Sequence, residues 1–228
     1  TYFFLDLLAK RINCKIKLDK YLINVVLATV CDVMPLRKLN RLMSIIAIKK
    51  FDLNKNYVFK KLYELNKKKN KININDLGYL IGPILNAGGR LGKSNYATEL
   101  LSSNDSKIID QKSSELFLLN EKRKLIEKKI LDNIDFNKLI NLNDNIIIYY
   151  DPNMNEGLIG IIASRLKDFF NKPSFVITNS DNILKGSARS VNNYKIGRII
   201  KKLLDKNIVL AGGGHDMAGA FSFEKKKF

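Results

Sequence analysis

Ile146-Ile-Ile-Tyr-Tyr150-Asp-Pro-Asn-Met-Asn-Glu-Gly157-Leu-Ile-Gly-Ile-Ile-Ala-Ser-Arg165-Leu-Lys-Asp-Phe-Phe170 is the stretch that decides the fold. Its first five residues are β-branched or aromatic, and they stop at Asp151-Pro152, where proline has no amide hydrogen to give a neighbouring strand. From Leu158 to Phe170 the apolar residues recur at helical spacing. The alternation continues with a strand over residues 174–178, Lys185–Ser190 as a further strand or turn, and a helix near Ile196–Leu204. The last segment, Leu210–Phe223, carries a triple glycine and a histidine. Short strands alternating with helices argue an α/β fold.

Toward the amino terminus, the Asn-rich stretch Asn141–Asn145 is turn chemistry. Before it, Asp105–Leu131 predicts one long amphipathic helix, with Leu116, Leu119, Ile126 and Ile130 as its buried stripe, bridging two domains. Gly78–Gly92 interrupts an apolar run with glycines and a proline, a pattern expected to need unusual backbone angles or close approach by a ligand. Residues 54–75 read as a basic, solvated helix followed by a loop. Tyr21–Val30 is a continuous apolar run, predicted as a buried strand, and Leu36–Lys50 resumes a helical period. Asp32 then stands at a strand's carboxyl end, where open α/β sheets bind ligands; a capping or turn aspartate is the alternative. Residues 2–12 have helical spacing with neither an initiator methionine nor an N-cap before them, which reads as a truncated start.

At 228 residues and 46% hydrophobic content the chain can bury a core. No run approaches the roughly 20 apolar residues of a membrane helix, and no signal peptide opens the chain, so a cytoplasmic protein is expected. Cys14, Cys31 and His215 are the only cysteines and histidine, which excludes a disulfide framework and a Cys/His zinc site; any metal must sit on carboxylates. The net charge of +18 attracts polyanions such as nucleic acid. A gene drifting toward A and T would give the same excess of lysine, asparagine and isoleucine, so the charge alone does not decide.

Three clusters stand at predicted element ends. In Asn86-Ala-Gly-Gly-Arg90 small residues would let amides approach an anion while Arg90 offers a forked donor; a structural glycine turn is the alternative. In Lys185-Gly-Ser-Ala-Arg-Ser190 the period-two geometry of an extended segment places Ser187 and Arg189 on one face, either a phosphate clamp or a solvated strand. Arg165 could join that clamp or pair with a carboxylate. Gly212-Gly-Gly-His215 carries a glycine run expected where a backbone bends sharply or cradles a ligand, and His215 could donate to a phosphate, stack on a base, carry a proton or be an ordinary loop histidine.

In this order the clusters resemble the RecJ branch of the DHH phosphoesterase superfamily, over nearly the whole chain. Ala28-Thr-Val-Cys-Asp-Val-Met-Pro-Leu36 resembles the family's fourth motif, and Leu77–Leu91 the motif at the domain junction. Gly157–Arg165, Lys185–Ser190 and Gly212–His215 resemble successive signatures of the DHHA1 domain. The resemblance implies the carboxy-terminal part of a DHH domain (1–104), a connecting helix (105–143) and a DHHA1-type nucleic-acid-binding α/β domain (144–228). It implies Asp32 as a metal ligand and catalytic residue for Mn²⁺ or Mg²⁺. It also implies that Asn86, Arg90, Arg165, Ser187, Arg189, Ser190, Gly212, Gly213, Gly214 and His215 face the phosphates or terminal nucleotide.

The activity so implied is single-strand-specific 5′-to-3′ DNA exonuclease action in repair and recombination, with single-stranded DNA as substrate and single-strand-binding protein or a recombination helicase as partners. The family's other aspartate motifs and its paired-histidine motif do not occur in this sequence, so the chain is expected to bind metal poorly and to be inactive alone. Asn155-Glu156 also stands where family members commonly carry a histidine before the glycine. Two alternatives remain: a nucleic-acid-binding module without catalysis, and a phosphodiesterase of the same superfamily acting on short oligonucleotides or cyclic dinucleotides.

Overall fold

The computed structural model describes residues 1–141 and 145–227. The expected turn around Asn141–Asn145 falls largely outside the described residues. The chain divides into two compact units, Thr1–Glu121 and Lys122–Phe228.

The first unit is helical: α1 (Tyr2–Arg11), α2 (Leu22–Cys31), α3 (Lys38–Lys50), α4 (Tyr57–Leu65), α5 (Ile74–Asp76), a π turn (Leu77–Ile81), α6 (Gly82–Arg90), α7 (Tyr96–Ser102), and the start of α8 (Ser106–Asn133). Its core joins Val26, Phe59, Leu62, Tyr63, Leu77, Ile84, Leu100 and Leu116. Tyr63 donates to the buried Asp76 carboxylate at 2.7 Å, and Lys68 stands 3.3 Å from the same group, so the buried charge is matched.

Two expectations are corrected here. The run Tyr21–Val30 is helix α2, not a strand. Burial of Ile23, Val26 and Leu27, with Leu22, Val25 and Val30 also packed into the core, leaves no polar face to mark a period, and at ten residues the run has a helix's length. Asp32 is therefore the C-cap of α2. Gly78–Gly92, expected to need unusual backbone angles or close approach by a ligand, does not take the first course: it is helical to Arg90, and of its glycines Gly92 alone has a positive φ. Gly88 is there for contact: a Cβ would stand 3.0 Å from Leu116 Cδ2 and closer still to Lys93 O.

The second unit is an α/β layer structure. It begins with the end of α8 and α9 (Phe136–Asn141), then runs β1 (Ile147–Tyr150), α10 (Ile159–Phe170), β2 (Ser174–Ser180), β3 (Ile183–Arg189), α11 (Ile196–Asp205), β4 (Ala211–His215) and β5 (Ala218–Glu224). The sheet order is β1-β2-β3-β5-β4, with β1 and β2 parallel and the other pairs antiparallel. Helix α10 packs on β1, β2 and β3, and α11 on β4 and β5. They lie on opposite faces: Val176 joins the α10 cluster, whereas Ala188, Phe175 and Phe221 join Ile196 and Ile200 of α11. The α/β reading of this unit holds, and Lys185–Ser190, left as strand or turn, resolves into β3 up to Arg189.

Candidate nucleic-acid interface

Alternation along β3 sends Lys185, Ser187 and Arg189 to the face that carries α10, and Leu184, Gly186 and Ala188 to the face that carries α11. Register extends that face across the sheet. Arg189 pairs with Ala218, which pairs with His215; Ser187 pairs with Ala220, which pairs with Gly213. Neighbouring strands lie about 4.8 Å apart, so His215 stands two strands, roughly 10 Å, from Arg189 on the same side. Between them Ala218, Ala220 and Gly213 form a floor of small residues, and Ala220, Gly213 and His215 are exposed. A Cβ on Gly213 would meet nothing within 4 Å. The two clusters expected to bind phosphate are thus brought onto one open surface.

Arg189 is its most constrained member. The half-buried guanidinium donates from Nη1 to Ser187 Oγ at 3.1 Å and to the Ala188 carbonyl at 2.9 Å. Among the described residues no carboxylate lies within ion-pair distance of it. Burial pulls its pKa below the ordinary value, and an arginine so placed is still a cation. Gly160, in the first turn of α10, lies against the pair: a Cβ there would stand 3.0 Å from Arg189 Nη2 and 3.2 Å from Ser187 Oγ. A helix amino terminus, a hydroxyl that already accepts from arginine and so has its own hydrogen to give, and an uncompensated cation together suit an anion.

The other sequence-derived residues divide. His215 accepts at Nδ1 from the Met217 amide at 3.3 Å, which leaves Nε2 as the neutral ring's donor. The triple glycine is not a sharp bend but an extended edge strand. A Cβ on Gly212 would stand 2.7 Å from Ile200 Cγ2, and one on Gly197 of α11 2.8 Å from Gly214 O, so the glycines let α11 approach; Gly213 alone faces the open side. Ser190 is buried, its hydroxyl directed at the Tyr194 and Val191 carbonyls, while its amide donates to Met217 O at 2.9 Å and ties the end of β3 to the β4–β5 turn. Arg165 takes the second of its two options: Nε donates to Glu127 at 2.8 Å, and Arg123 holds the other oxygen at 2.7 Å.

Residues the sequence reading missed are Gly160, Glu127 and the pairing of Glu156, whose carboxylate accepts from Lys185 at 2.7 Å and from Ser180 at 3.0 Å. Lys185, then Ser180, holds that carboxyl below its usual range. The alternation of Ala218 and Ala220 around Gly219 was the available signal for the floor.

In the first unit Asn86 and Gly89 lie on the exposed side of α6, with Arg90 partly buried at its end. Asp32 is exposed beside Cys31, whose thiol is pushed up first by burial and then by Asp32. Hard divalent cations take several oxygen ligands. Among the described residues no group of three Asp, Glu, His or Cys could hold a metal ion. Asp32 alone does not meet that requirement.

Residues 143–228 match the DHHA1 domain family. The chain is 31% identical over 216 residues to the single-stranded-DNA-specific exonuclease RecJ of Haemophilus influenzae, and 33% identical over 214 residues to that of Escherichia coli, each alignment covering 90% of this chain and 37% of the relative. It thus spans little more than a third of the length of these relatives. Among solved structures it is similar to RecJ of Thermus thermophilus in complex with Mn²⁺, with TM-score 0.80 and 25% identity over 97% of this chain and 32% of that one. The Mg²⁺ complex gives TM-score 0.79 and 26% identity over 97% and 34%.

Proposed function

Since the chain belongs to the RecJ family over the stretch it shares with these relatives, we propose that it serves a metal-dependent, single-strand-specific DNA exonuclease that degrades from the 5′ end in repair and recombination. In this reading residues 1–104 contribute the carboxy-terminal part of a DHH-type domain, 105–143 the connecting helix, and 144–228 the strand-binding domain. The observation that carries it is the half-buried Arg189 beside Ser187 and Gly160, a cation with no carboxylate at ion-pair distance among the described residues. Ser187 and Arg189 hold the terminal phosphate, the Ala218, Ala220 and Gly213 floor lets the strand lie close to the sheet, and His215 donates to a further phosphate or stacks on a base. Asn86 and Arg90 on α6, and Arg165 once released from Glu127, are further contacts. Gly212, Gly214 and Ser190 act through the geometry of the strand and turn.

Asp32 would be one ligand of a Mn²⁺ or Mg²⁺ ion that activates water and offsets charge on the phosphate. Among the described residues no full ligand set is present, and in this reading the chain is inactive alone. Single-strand-binding protein or a recombination helicase is the proposed partner, and the cytoplasm the proposed compartment; no helix among the described residues is long and apolar enough to cross a membrane. A second reading, a binding module without catalysis, is favoured by the isolation of Asp32 from other ligands.

Mn²⁺-dependent digestion of labelled single- and double-stranded DNA separates the two readings. The chain alone is compared with the chain preceded by the amino-terminal part of the Haemophilus influenzae relative. Release of nucleotides from single strands by the extended protein only supports the exonuclease. Strand binding without release by either supports the binding module.

A further inference from the structure

Helix α5, the π turn and α6 follow one another without a break over residues 74–90, and most of their surface is covered. Leu77, Ile81, Ile84, Leu85 and Ala87 are buried. Solvent reaches one stripe at helical spacing: Asn75, Tyr79, Asn86 and Gly89 are exposed, with Pro83 and Arg90 partly so.

Two members of this stripe have no explanation in the packing of the chain. Tyr79, in the middle of the π turn, is 86% exposed, and among the described residues its ring meets no other ring and its hydroxyl no acceptor. An aromatic side chain left in water forfeits the stabilisation its burial would give, and π turns within helices are frequent at functional sites. Gly89 is the second. Its φ is not positive, a Cβ there would meet nothing within 4 Å, and an alanine would favour the helix, so neither conformation nor a neighbour asks for glycine.

A ring offered flat to solvent and a stretch of bare helix backbone, with the Asn86 carboxamide between them, suit one kind of ligand. Unpaired bases stack on aromatic rings whatever their sequence, whereas a duplex keeps its base faces against one another. The missing side chain at Gly89 lets a sugar-phosphate backbone come close, and the carboxamide offers donors and an acceptor on the way.

We infer that Tyr79 is a stacking platform for a base of the single strand, and that the strand runs from Tyr79 past Asn86 to Gly89, about 15 Å along the helix at roughly 1.5 Å per residue. The inference rests on the single-strand reading of the chain and adds to it a base contact on the helical unit.

Fluorescence anisotropy of a labelled single-stranded DNA with the 228-residue chain tests it, the folding of each variant being checked by circular dichroism. Tyr79→Ala is expected to weaken binding roughly tenfold, the loss of one base stack, while Tyr79→Phe binds as the parent does. An abasic strand of the same length should bind the parent and Tyr79→Ala alike, and the salt dependence should be the same in both, since a stack neutralises no phosphate. Gly89→Ala should keep or raise the melting temperature and weaken the strand. The inference is overturned if Tyr79→Ala or Gly89→Ala binds as tightly as the parent, or if Tyr79→Ala loses the abasic strand as well. Loss of affinity in Arg189→Ala with Tyr79→Ala silent removes the stacking platform and leaves the single-strand reading; no binding by the parent chain removes both.

Discussion

Arg189, Ser187 and Gly160 form the smallest unit on which the functional reading stands. A half-buried guanidinium held only by a hydroxyl and a carbonyl retains most of its attraction for an anion. Arg189→Ala is expected to weaken single-strand binding by about 1–3 kcal/mol, the range for a hydrogen bond to a charged group; fluorescence anisotropy at moderate salt measures it. Gly160→Ala separates site from scaffold. The added methyl stands 3.0 Å from Nη2 and must displace the arginine, whereas alanine favours the helix by up to about 1 kcal/mol. Melting temperature should hold or rise while affinity falls; equal affinity would remove Gly160 from the site.

Glu156 gives a pH effect of known sign. Its folded pKa is depressed by Lys185 and then Ser180, so its contribution is present above the unfolded carboxylate value and is lost as pH falls through the folded value. Both side chains are well exposed, which limits the pair to under about 1 kcal/mol. Lys185→Ala should cost that little in urea denaturation at neutral pH and nothing below the folded pKa.

At the scale of elements, β4 shows how a glycine run serves packing and access at once. Gly212→Ala drives a methyl to 2.7 Å from Ile200 Cγ2 and 3.1 Å from Phe221 Cβ, and a destabilisation of about 1–3 kcal/mol is expected. Gly213→Ala meets open space and should be neutral or stabilising by about 0.5–1 kcal/mol. Thermal denaturation of the two variants distinguishes them; equal losses would contradict the division of the strand into a packed and an open side. Elements with a one-sided environment were legible in the sequence: β1 from its β-branched and aromatic run, α10 from its period, and the Ser187 and Arg189 face from period two. Helix α2 was not, because burial around it erases the period that distinguishes helix from strand. The union of Arg189 with His215 was not legible either. It depends on β5 lying between β3 and β4, a pairing no local pattern contains.

For the whole molecule, the +18 charge sets a background attraction, and register gathers Arg189 and His215 onto one face of the sheet. Single-strand affinity should fall with salt, with a slope of about 0.7 per phosphate neutralised, and Arg189→Ala should reduce that slope by about one phosphate's worth. A slope unchanged in the variant would assign the binding to the diffuse lysines instead. Asp32 marks the limit of what these residues carry, since among the described residues no group of three such ligands gathers to hold a metal. Its helix C-cap position was hidden for the same reason that α2 was.

Binding of a 5′-phosphorylated single strand, against the same strand without its phosphate and against the duplex, by the parent chain and by Arg189→Ala, is the measurement that bears most directly on the sheet face. The account expects the phosphorylated single strand to bind tightest, and expects that preference to disappear in the variant. Duplex bound as well as single strand, or a phosphate preference that survives Arg189→Ala, would contradict it.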